Sequence, residues 1–293
     1  MIPKSIIILG SNGFIGSRFS KMLFMNPGLR EVVYSIPKKY DYNDAYIDNL
    51  RLENIYSKKL ISFSKISDEV IVVNCAAERH SELDNKVKAG NYDFQLIILK
   101  KLLSEGKNVS WIQLETYWQN SLEVCPSPRY VYWKNEFRLK LTEIASLQKL
   151  KTQFIVLPHV IGVDDDDNRY LNKIFRSIIL GEKIVLRNEN NSFYLCDVED
   201  LCNYLISLIL GSELDVNNQS SLFPFHTIKL ATLISQFKQL AKSDSIIDFE
   251  FDKSYTNPIM RIELQPMLIS SKRVVLTRLE LSLAKILGWM NKV

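Results

Sequence analysis

The fold of this chain is decided by the stretch Ile6-Ile7-Ile8-Leu9-Gly10-Ser11-Asn12-Gly13-Phe14-Ile15-Gly16. Its four leading apolar residues, three of them β-branched, predict a buried parallel strand. Arg18 to Phe24 follow with the apolar spacing of a helix. A strand, a glycine turn and a helix in this order are typical of the phosphate-binding turn that opens a doubly wound α/β fold.

Each of the three glycines has a separate role in such a turn. Gly10 permits the tight bend, Gly13 lets backbone N–H groups approach a pyrophosphate, and Gly16 lets the helix pack close to the strand. The helix N-terminus adds N–H donors and the positive end of the helix dipole. A turn without a ligand is the alternative, but the flanking strand and helix favour a dinucleotide. We therefore predict cofactor contacts from Gly10, Ser11, Asn12, Gly13, Phe14, Ile15 and Gly16.

The end of the second predicted strand, residues 31–36, indicates which dinucleotide is bound. An acidic residue there would accept hydrogen bonds from the adenosine ribose and select NAD. Lys38 and Lys39 stand just beyond this strand instead, and a cation at this place can pair with a 2′-phosphate. The sequence therefore favours NADP(H), with both lysines as contacts; Arg18 and Arg30 are alternative partners of the same phosphate. Ordinary lysines in a solvated loop are the competing interpretation.

The composition of the chain is that of a globular protein with a large core. Of its 293 residues, 46% are hydrophobic and 24% are charged, and the net charge is +4. No basic run accompanies that charge, so nucleic acid is not an expected partner. The longest apolar patch, residues 201–210, is too short to span a bilayer. No membrane partner is therefore expected. The four scattered cysteines, Cys75, Cys125, Cys196 and Cys202, are expected to be reduced, which favours a cytoplasmic location.

The run Asp164-Asp165-Asp166-Asp167 resembles a metal site only superficially. Adjacent carboxylates point in different directions, so we expect a solvated loop and no metal.

The second clear strand signal is residues 70–77, which are apolar and β-branched and end in Cys75, Ala76 and Ala77. Small residues at the end of a parallel strand leave room for a ligand crossing the sheet edge, and we predict that these three contact the cofactor. Between the second strand and this one, residues 45–55 have helical spacing, and Ile61 to Phe63 are expected to form a short third strand.

Tyr130 and Lys134 are the candidate catalytic pair. Residues four apart lie on one face of a helix. A tyrosine with its ordinary pKa of about 10 is a poor acid at neutral pH, but a nearby ammonium stabilises the phenolate and lowers that pKa. The pair can therefore exchange a proton with a substrate.

In this order, the glycine turn, the small-residue strand end and the Tyr-x-x-x-Lys pair resemble the extended branch of the short-chain dehydrogenase/reductase superfamily. The resemblance implies that Asn91 contacts the cofactor together with Tyr130 and Lys134. It also implies that Thr116, at the end of the strand Trp111 to Thr116, is catalytic. Glu115 departs from the Ser or Thr that this family usually places there.

The resemblance continues into the second half of the chain. Pro158 and Val160 match a segment that borders the nicotinamide, and the predicted substrate contacts are Glu78, Thr116, Tyr117, His159 and Asn191. Asn191 stands where relatives have an arginine, which puts that contact in doubt. The implied division is an NADP-binding Rossmann domain of residues 1–157 plus 184–212. A smaller, discontinuous C-terminal substrate lobe would comprise residues 158–183 and 213–293.

Within this branch, the interval from Thr116 to Tyr130 and the segment Leu157-Pro158-His159-Val160-Ile161-Gly162 look most like the CDP-abequose and CDP-paratose synthases. That resemblance implies an NADPH-dependent reductase of the 4-keto group of CDP-4-dehydro-3,6-dideoxy-D-glucose in O-antigen biosynthesis. Two alternatives stay open: a nucleotide-sugar epimerase or dehydratase, and a non-catalytic NADP-binding sensor. Abequose and paratose differ only in the face of the ketone that receives hydride, and the sequence does not distinguish them.

An oligomeric state is also implied. The predicted helices from Asn91 to Leu103 and from Tyr130 to Leu150 carry more apolar residues than one face against the sheet needs. Relatives pair these helices in a dimer, so we expect a homodimer.

Overall fold

A computed structural model of the chain describes residues 4–36, 50–79, 82–120, 128–148, 150–187, 192–211, 219–250 and 274–292. The chain divides into two compact units, Met1–Leu157 with Cys202–Leu222 and Pro158–Leu201 with Phe223–Val293. The predicted division placed residues 184–201 with the first unit and residues 213–222 with the second, whereas the observed units assign each of these ranges to the other unit. The assignment of cofactor and substrate to the two units stays a prediction.

The strands of the described residues are β1 (Ser5–Leu9), β2 (Val33–Ser35), β3 (Leu52–Asn54), β4 (Leu60–Ile61), β5 (Glu69–Asn74), β6 (Asn108–Thr116), β7 (Lys151–Leu157), β8 (His159–Ile161), β9 (Ile184–Arg187), β10 (Ser192–Asp197), β11 (Gln219–Leu222), β12 (His226–Lys229) and β13 (Ile247–Glu250). The α-helices are α1 (Phe14–Phe24), α2 (Asp84–Lys88), α3 (Phe94–Ser104), α4 (Pro128–Leu147), α5 (Tyr170–Ile179), α6 (Val198–Leu210), α7 (Leu230–Ala241) and α8 (Leu279–Met290).

The first unit is built on an eight-stranded sheet in the order β11-β7-β6-β5-β1-β2-β3-β4. Strand β1 lies between β5 and β2 and is parallel to both. It is buried on both faces, as its continuous apolar run predicts. The ladder pairs Leu9 with Asn74 and Asn74 with Gln113, so the carboxyl ends of β1, β5 and β6 meet at one edge. Open α/β sheets bind ligands at this edge, where the strand order reverses. The predicted α/β class with a large, mainly parallel sheet is confirmed.

The far edge of the sheet departs from the expected pattern. β3 and β4 are antiparallel to their neighbours, and the strand predicted for 61–63 is only β4, which ends at Ile61. Helical spacing was also predicted for residues 45–55, but Leu52–Asn54 form β3; residues 45–49 lie outside the described residues. The amide of Asn54 donates hydrogen bonds to the carbonyl oxygens of Arg30, Glu31 and Val33, which fixes β3 against β2.

Helices α2 and α3 are joined by a π-helical turn, Ala89–Asp93. The helix predicted from Asn91 thus has its α-helical part at Phe94–Ser104, and the one predicted from Tyr130 begins two residues earlier, at Pro128. Both pack on the sheet through a core that includes Phe94, Trp111 and Phe137.

The second unit contains a three-stranded sheet, β12-β10-β8, and the two-stranded sheet β13-β9. Its core is apolar and includes Phe175 and Phe237, whose rings stack with centroids 4.0 Å apart. Helix α6 starts in this unit and ends in the first, because the boundary falls between Leu201 and Cys202.

Across the described ranges, no helix has both the length and the apolar character that a membrane crossing requires. Cys75, Cys196 and Cys202 form no disulfides; Cys125 lies outside the described residues.

Candidate active site

The turn between β1 and α1 is shaped by Gly10 and Gly16. Gly10 has a φ of 76°, and a Cβ there would lie 2.7 Å from the Cα of Ala76. A Cβ at Gly16 would lie 2.2 Å from the carbonyl oxygen of Gly10. Both distances are too short for real atoms, so the fold itself requires glycine at these two positions.

Gly13 differs because packing does not require glycine there. Its φ is −77°, and among the described atoms an added Cβ would meet only the Gly10 carbonyl oxygen, at an ordinary 3.4 Å. No side chain caps the N-terminus of α1 at this residue. Gly13 and Asn12 are exposed, while Ser11, Phe14 and Ile15 are half-buried. An exposed, uncapped helix start with a missing Cβ fits a bound pyrophosphate.

The loop after β5 lies beside this turn. The N–H of Cys75 donates to the carbonyl oxygen of Leu9 at 2.9 Å, and Ala76 makes the close approach to Gly10. Asn74 fixes the loop from below, because its Oδ1 accepts from the Ala76 N–H while its Nδ2 donates to Gln113. Ala77, the last of the three small residues, is exposed. The loop thus approaches the glycine turn through its backbone, and the predicted cofactor contacts of Cys75, Ala76 and Ala77 stay predictions.

Asn91 holds the next part of this loop. It is buried in the π-helical turn, and its Nδ2 donates to the carbonyl oxygens of Glu78 at 2.7 Å and Val87 at 2.8 Å. Its Oδ1 accepts from the Glu78 N–H at 3.3 Å. A Cβ at Gly90 would lie 2.5 Å from the Cβ of Glu78. Asn91 thus positions Glu78, and its predicted contact with the cofactor stays a prediction.

Tyr130 and Lys134 lie together at the end of β6. The Nζ of Lys134 donates to the carbonyl oxygen of Leu114 at 2.7 Å and lies 5.6 Å from the centroid of the Tyr130 ring. Lys134 is buried, whereas Tyr130 is half-buried. Thr116, two residues beyond Leu114, ends the strand. The structure thus brings the three predicted catalytic residues to one corner of the sheet edge.

Burial controls the electrostatics of this corner. It lowers the pKa of Lys134 to about 8, and the carboxylate of Glu115 opposes that shift. Lys134 is therefore mostly protonated at neutral pH and loses its charge in mildly alkaline solution. Burial also raises the pKa of the Cys75 thiol to about 12, so this thiol is neutral under the same conditions.

Four polar residues around Thr116 and Lys134 were not predicted to belong to the site. Glu115 is buried and bonds Arg138, and Gln119 bonds Asn135 and the N–H of Thr116. Arg138 follows Lys134 by four residues, a spacing that places both on one helix face. The spacing of four residues between Lys134 and Arg138 is the sequence signal that could have indicated Arg138. Glu115 had no such signal, because it only departs from the family pattern. Tyr117 beside them is 2% exposed and packs on Trp118, so its predicted contact with substrate stays a prediction.

In the second unit, Pro158 precedes β8, where His159 is half-buried and its ring lies 5.5 Å from that of Phe193. The carbonyl oxygen of Val160 accepts from Arg169 at 3.0 Å. The nicotinamide and substrate contacts predicted for this segment stay predictions.

Arg169 also pairs with Asp165 at 2.8 Å. Asp165 is buried, and burial raises its pKa while Arg169 lowers it. The expectation of a solvated loop is therefore wrong for Asp165, which is an internal ion-pair partner. In the described parts of the chain, no group of three or more His, Cys, Asp or Glu side chains is arranged to hold a metal.

Lys38, Lys39 and Asn191 lie outside the described residues. Arg30, one of the alternative phosphate partners, donates from Nε to the carbonyl oxygen of Phe24 at 2.9 Å. Its guanidinium also lies 4.1 Å from the centroid of the Phe24 ring. Arg18 is half-buried on α1.

No protein-family model matches the sequence, and the comparison with curated proteins finds no match. Solved structures do share the fold. RMD from Pseudomonas aeruginosa complexed with NADPH is similar with a TM-score of 0.70 at 14% identity, over 99% of this chain and 100% of that one. UDP-N-acetylglucosamine 4-epimerase from Methanobrevibacter ruminantium M1, in complex with UDP-N-acetylmuramic acid, gives 0.74 at 16% identity over 100% and 99%.

A third similar structure is dTDP-glucose 4,6-dehydratase from Bacillus anthracis str. Ames in complex with NAD, with a TM-score of 0.68 at 14% identity over 99% of this chain and 97% of that one. At such low identity, these likenesses establish the fold that the glycine turn predicted.

Proposed function

We propose that this protein is an NADPH-dependent reductase of the 4-keto group of a nucleotide-linked deoxysugar. The observation that carries the proposal is the corner at the end of β6, where Lys134 bonds Leu114 and lies beside Tyr130. An ammonium next to a half-buried phenol stabilises the phenolate and so favours proton donation from the phenol to a carbonyl oxygen.

The glycine turn supports a dinucleotide as the cofactor. Gly13 is the position whose missing Cβ the fold does not explain, and an approaching pyrophosphate explains it. NADP(H) rather than NAD(H) follows from Lys38 and Lys39, which stand where an acid would select NAD. Replacing both lysines by Ala should raise the KM for NADPH more than that for NADH.

The mechanism assigns one task to each side chain at the corner. NADPH, when bound, would supply the hydride that carbon 4 of the sugar accepts. Tyr130 gives its phenolic proton to the oxygen on that carbon, so that the ketone becomes an alcohol. Lys134 stabilises the resulting phenolate and would also hold the ribose of the cofactor, and Thr116 donates a hydrogen bond to the carbonyl oxygen. The phenol regains its proton from solvent before the next turnover.

For the substrate, we propose CDP-4-dehydro-3,6-dideoxy-D-glucose, reduced to CDP-abequose or CDP-paratose in O-antigen biosynthesis. The support is the resemblance of the segments around Thr116 and Pro158 to the enzymes that make these sugars. Glu78, Tyr117, His159 and Asn191 are the proposed substrate contacts. Asn91 and Gly90 support that role for Glu78, because both fix its position at the sheet edge.

We propose that the protein acts as a homodimer in the cytoplasm. Tyr132, Leu139 and Leu147 of α4 are large apolar residues that are more than half exposed, and a second copy would cover them. Light scattering at micromolar concentration should give the mass of two chains.

A nucleotide-sugar epimerase or dehydratase is the second candidate, since enzymes of both kinds have this fold. A dehydratase of this fold class typically needs an acid and a base after the catalytic Thr. Tyr117 and Trp118 occupy those places, and both are buried, so the reductase is favoured.

The test is to incubate the protein with the CDP-keto sugar and either NADPH or NADH. We expect one NADPH to be oxidised per sugar reduced, with much lower efficiency for NADH, and NMR to assign the configuration at carbon 4. Sugar conversion without net NADPH oxidation would favour the epimerase or dehydratase, and binding of NADPH without any conversion would favour the sensor.

A further inference from the structure

Glu115 is a carboxylate buried at the end of β6, directly before Thr116. Only 3% of its surface is exposed. Its Oε2 accepts a hydrogen bond from the guanidinium of Arg138 on α4, and its Oε1 accepts from Nε2 of Gln119 at 3.4 Å. Burying a carboxylate is unfavourable unless it is paired. The ion pair with Arg138 offsets that cost and keeps a charged group directly beside the catalytic corner.

Lys134 is the second buried charge in this corner. Its Nζ donates to the carbonyl oxygen of Leu114, the residue directly before Glu115. Arg138, which donates to Glu115, follows Lys134 by one helical turn.

The titratable groups that act on Lys134 among the described residues are Glu115 from β6 and Cys75 from the loop after β5, and the Tyr130 ring lies beside it on its own helix. The Cys75 thiol is neutral, and Arg138 is a cation. Glu115 is thus the group among them whose charge favours the ammonium of Lys134. Burial raises the pKa of Glu115 itself, whereas the charges of Arg138 and Lys134 lower it and so favour its ionised form.

We infer that Glu115 is a positioning residue that acts through Lys134: it is the counter-charge that keeps this lysine protonated beside Tyr130. The inference rests on the proposed reductase function. Without the carboxylate, burial acts on Lys134 unopposed, and the lysine gives up its proton at lower pH. A neutral Lys134 no longer stabilises the Tyr130 phenolate.

The same carboxylate orients Gln119. The Nε2 of Gln119 donates to Glu115 and, at 2.9 Å, to Oδ1 of Asn135. These two bonds direct the Oε1 of Gln119 towards Thr116, where it accepts from the backbone N–H at 2.9 Å. Arg138, Glu115 and Gln119 therefore form one hydrogen-bonded chain that ends at the backbone of Thr116.

The decisive variant is Glu115→Gln, which keeps the shape and removes the charge. The pKa of Lys134 is measured by NMR titration of its 13Cε in the protein without cofactor, and the pH profile of kcat/KM is measured with NADPH and the keto sugar. In the wild type, we expect Lys134 to titrate near pH 8. In Glu115→Gln, both this titration and the alkaline limb of the profile should move down by about one pH unit, since an opposite charge typically shifts a pKa by about 1–3 units.

Two further variants separate this role from a structural one. Glu143→Gln makes the same chemical change in an exposed ion pair with Lys140 on the same helix, and it should leave both curves unchanged. Glu115→Asp keeps the charge one methylene further back and should give an intermediate shift, which also keeps the test available should Glu115→Gln fail to fold.

An unmoved Lys134 titration in Glu115→Gln and Glu115→Asp overturns the inference, even if activity or stability falls. Failure of the proposed function has a different signature. In that case the wild-type protein oxidises no NADPH with the keto sugar, while the Lys134 titration still responds to Glu115.

Discussion

The glycine turn and the corner at the end of β6 lie at the same sheet edge but are specified in different ways. At Gly10 and Gly16, backbone atoms approach so closely that no side chain fits, and the requirement is local. At the corner, the groups that matter are side chains from separate elements, such as Glu115 and Arg138, which are 23 residues apart. The turn tolerates few substitutions for reasons of space, whereas the corner depends on charge. Steric change should therefore break the first region, and isosteric change should break the second.

The largest effect is expected from Tyr130→Phe, which removes the proton donor and keeps the ring. Loss of a positioned general acid costs about 100- to 10,000-fold in rate, so kcat should fall by that factor while NADPH affinity is retained. Steady-state kinetics and fluorescence titration with NADPH measure the two quantities.

The matched control is Tyr132→Phe. Tyr132 is on the same helix but 51% exposed, with its ring against Trp133, and its variant should match the wild type. If Tyr132→Phe were the inactive variant and Tyr130→Phe the active one, the catalytic assignment would be wrong.

Lys134→Met should lower kcat roughly 100-fold, as expected for loss of one preorganised charge stabilisation, and should also raise the KM for NADPH. Stability should respond in the opposite direction. Because burial has lowered the pKa of Lys134 to about 8, the charged side chain is unfavourable to bury at neutral pH, and the Met variant should unfold at an equal or higher temperature. Thermal unfolding at pH 7 checks this; a clear loss of stability would contradict the electrostatic account of the corner.

The sign of the pH dependence follows from the same shift. The folded-state pKa of Lys134 lies below its unfolded value of about 10.4, so the unfolded chain binds more protons between these two values. The contribution of Lys134 to stability therefore rises with pH from about 8 upwards, while the reductase rate falls over the same range.

The smallest effects are expected from alanine substitutions at Gly16 and Gly13, which should affect different properties of the protein. Gly16→Ala places a Cβ 2.2 Å from the Gly10 oxygen, and overpacking of this kind costs about 1–3 kcal/mol of stability. Gly13→Ala meets no such contact and should leave the unfolding temperature close to that of the wild type. It should nevertheless weaken NADPH binding by about tenfold, because displaced amide–phosphate hydrogen bonds cost about 1–3 kcal/mol. Equal losses of stability in the two variants would show that Gly13 has only a packing role.

The features that could be predicted from the sequence are local, and those that could not depend on residues from separate elements. The β1 turn and the Tyr130–Lys134 pair were predictable because each is a short pattern whose physics is local. The antiparallel β3 was not, since it depends on Asn54 reaching the carbonyl oxygens that precede and begin β2. Neither the burial of Glu115 nor the pairing of Asp165 with Arg169 has a signal in hydropathy, because a charged residue reads as exposed until its partner is known.

The most direct test of the central claim is the transfer of deuterium from NADPH labelled at carbon 4 of the nicotinamide to the keto-sugar nucleotide. The nicotinamide is labelled on each face in turn, and the product is analysed by NMR and mass spectrometry. We expect one label to deliver a single deuterium to carbon 4 of the sugar, with equimolar NADP⁺ released. Tyr130→Phe should slow this transfer by at least about 100-fold. A sugar product without deuterium at carbon 4 from either label, or one formed while NADPH is not consumed, would contradict the proposed reductase.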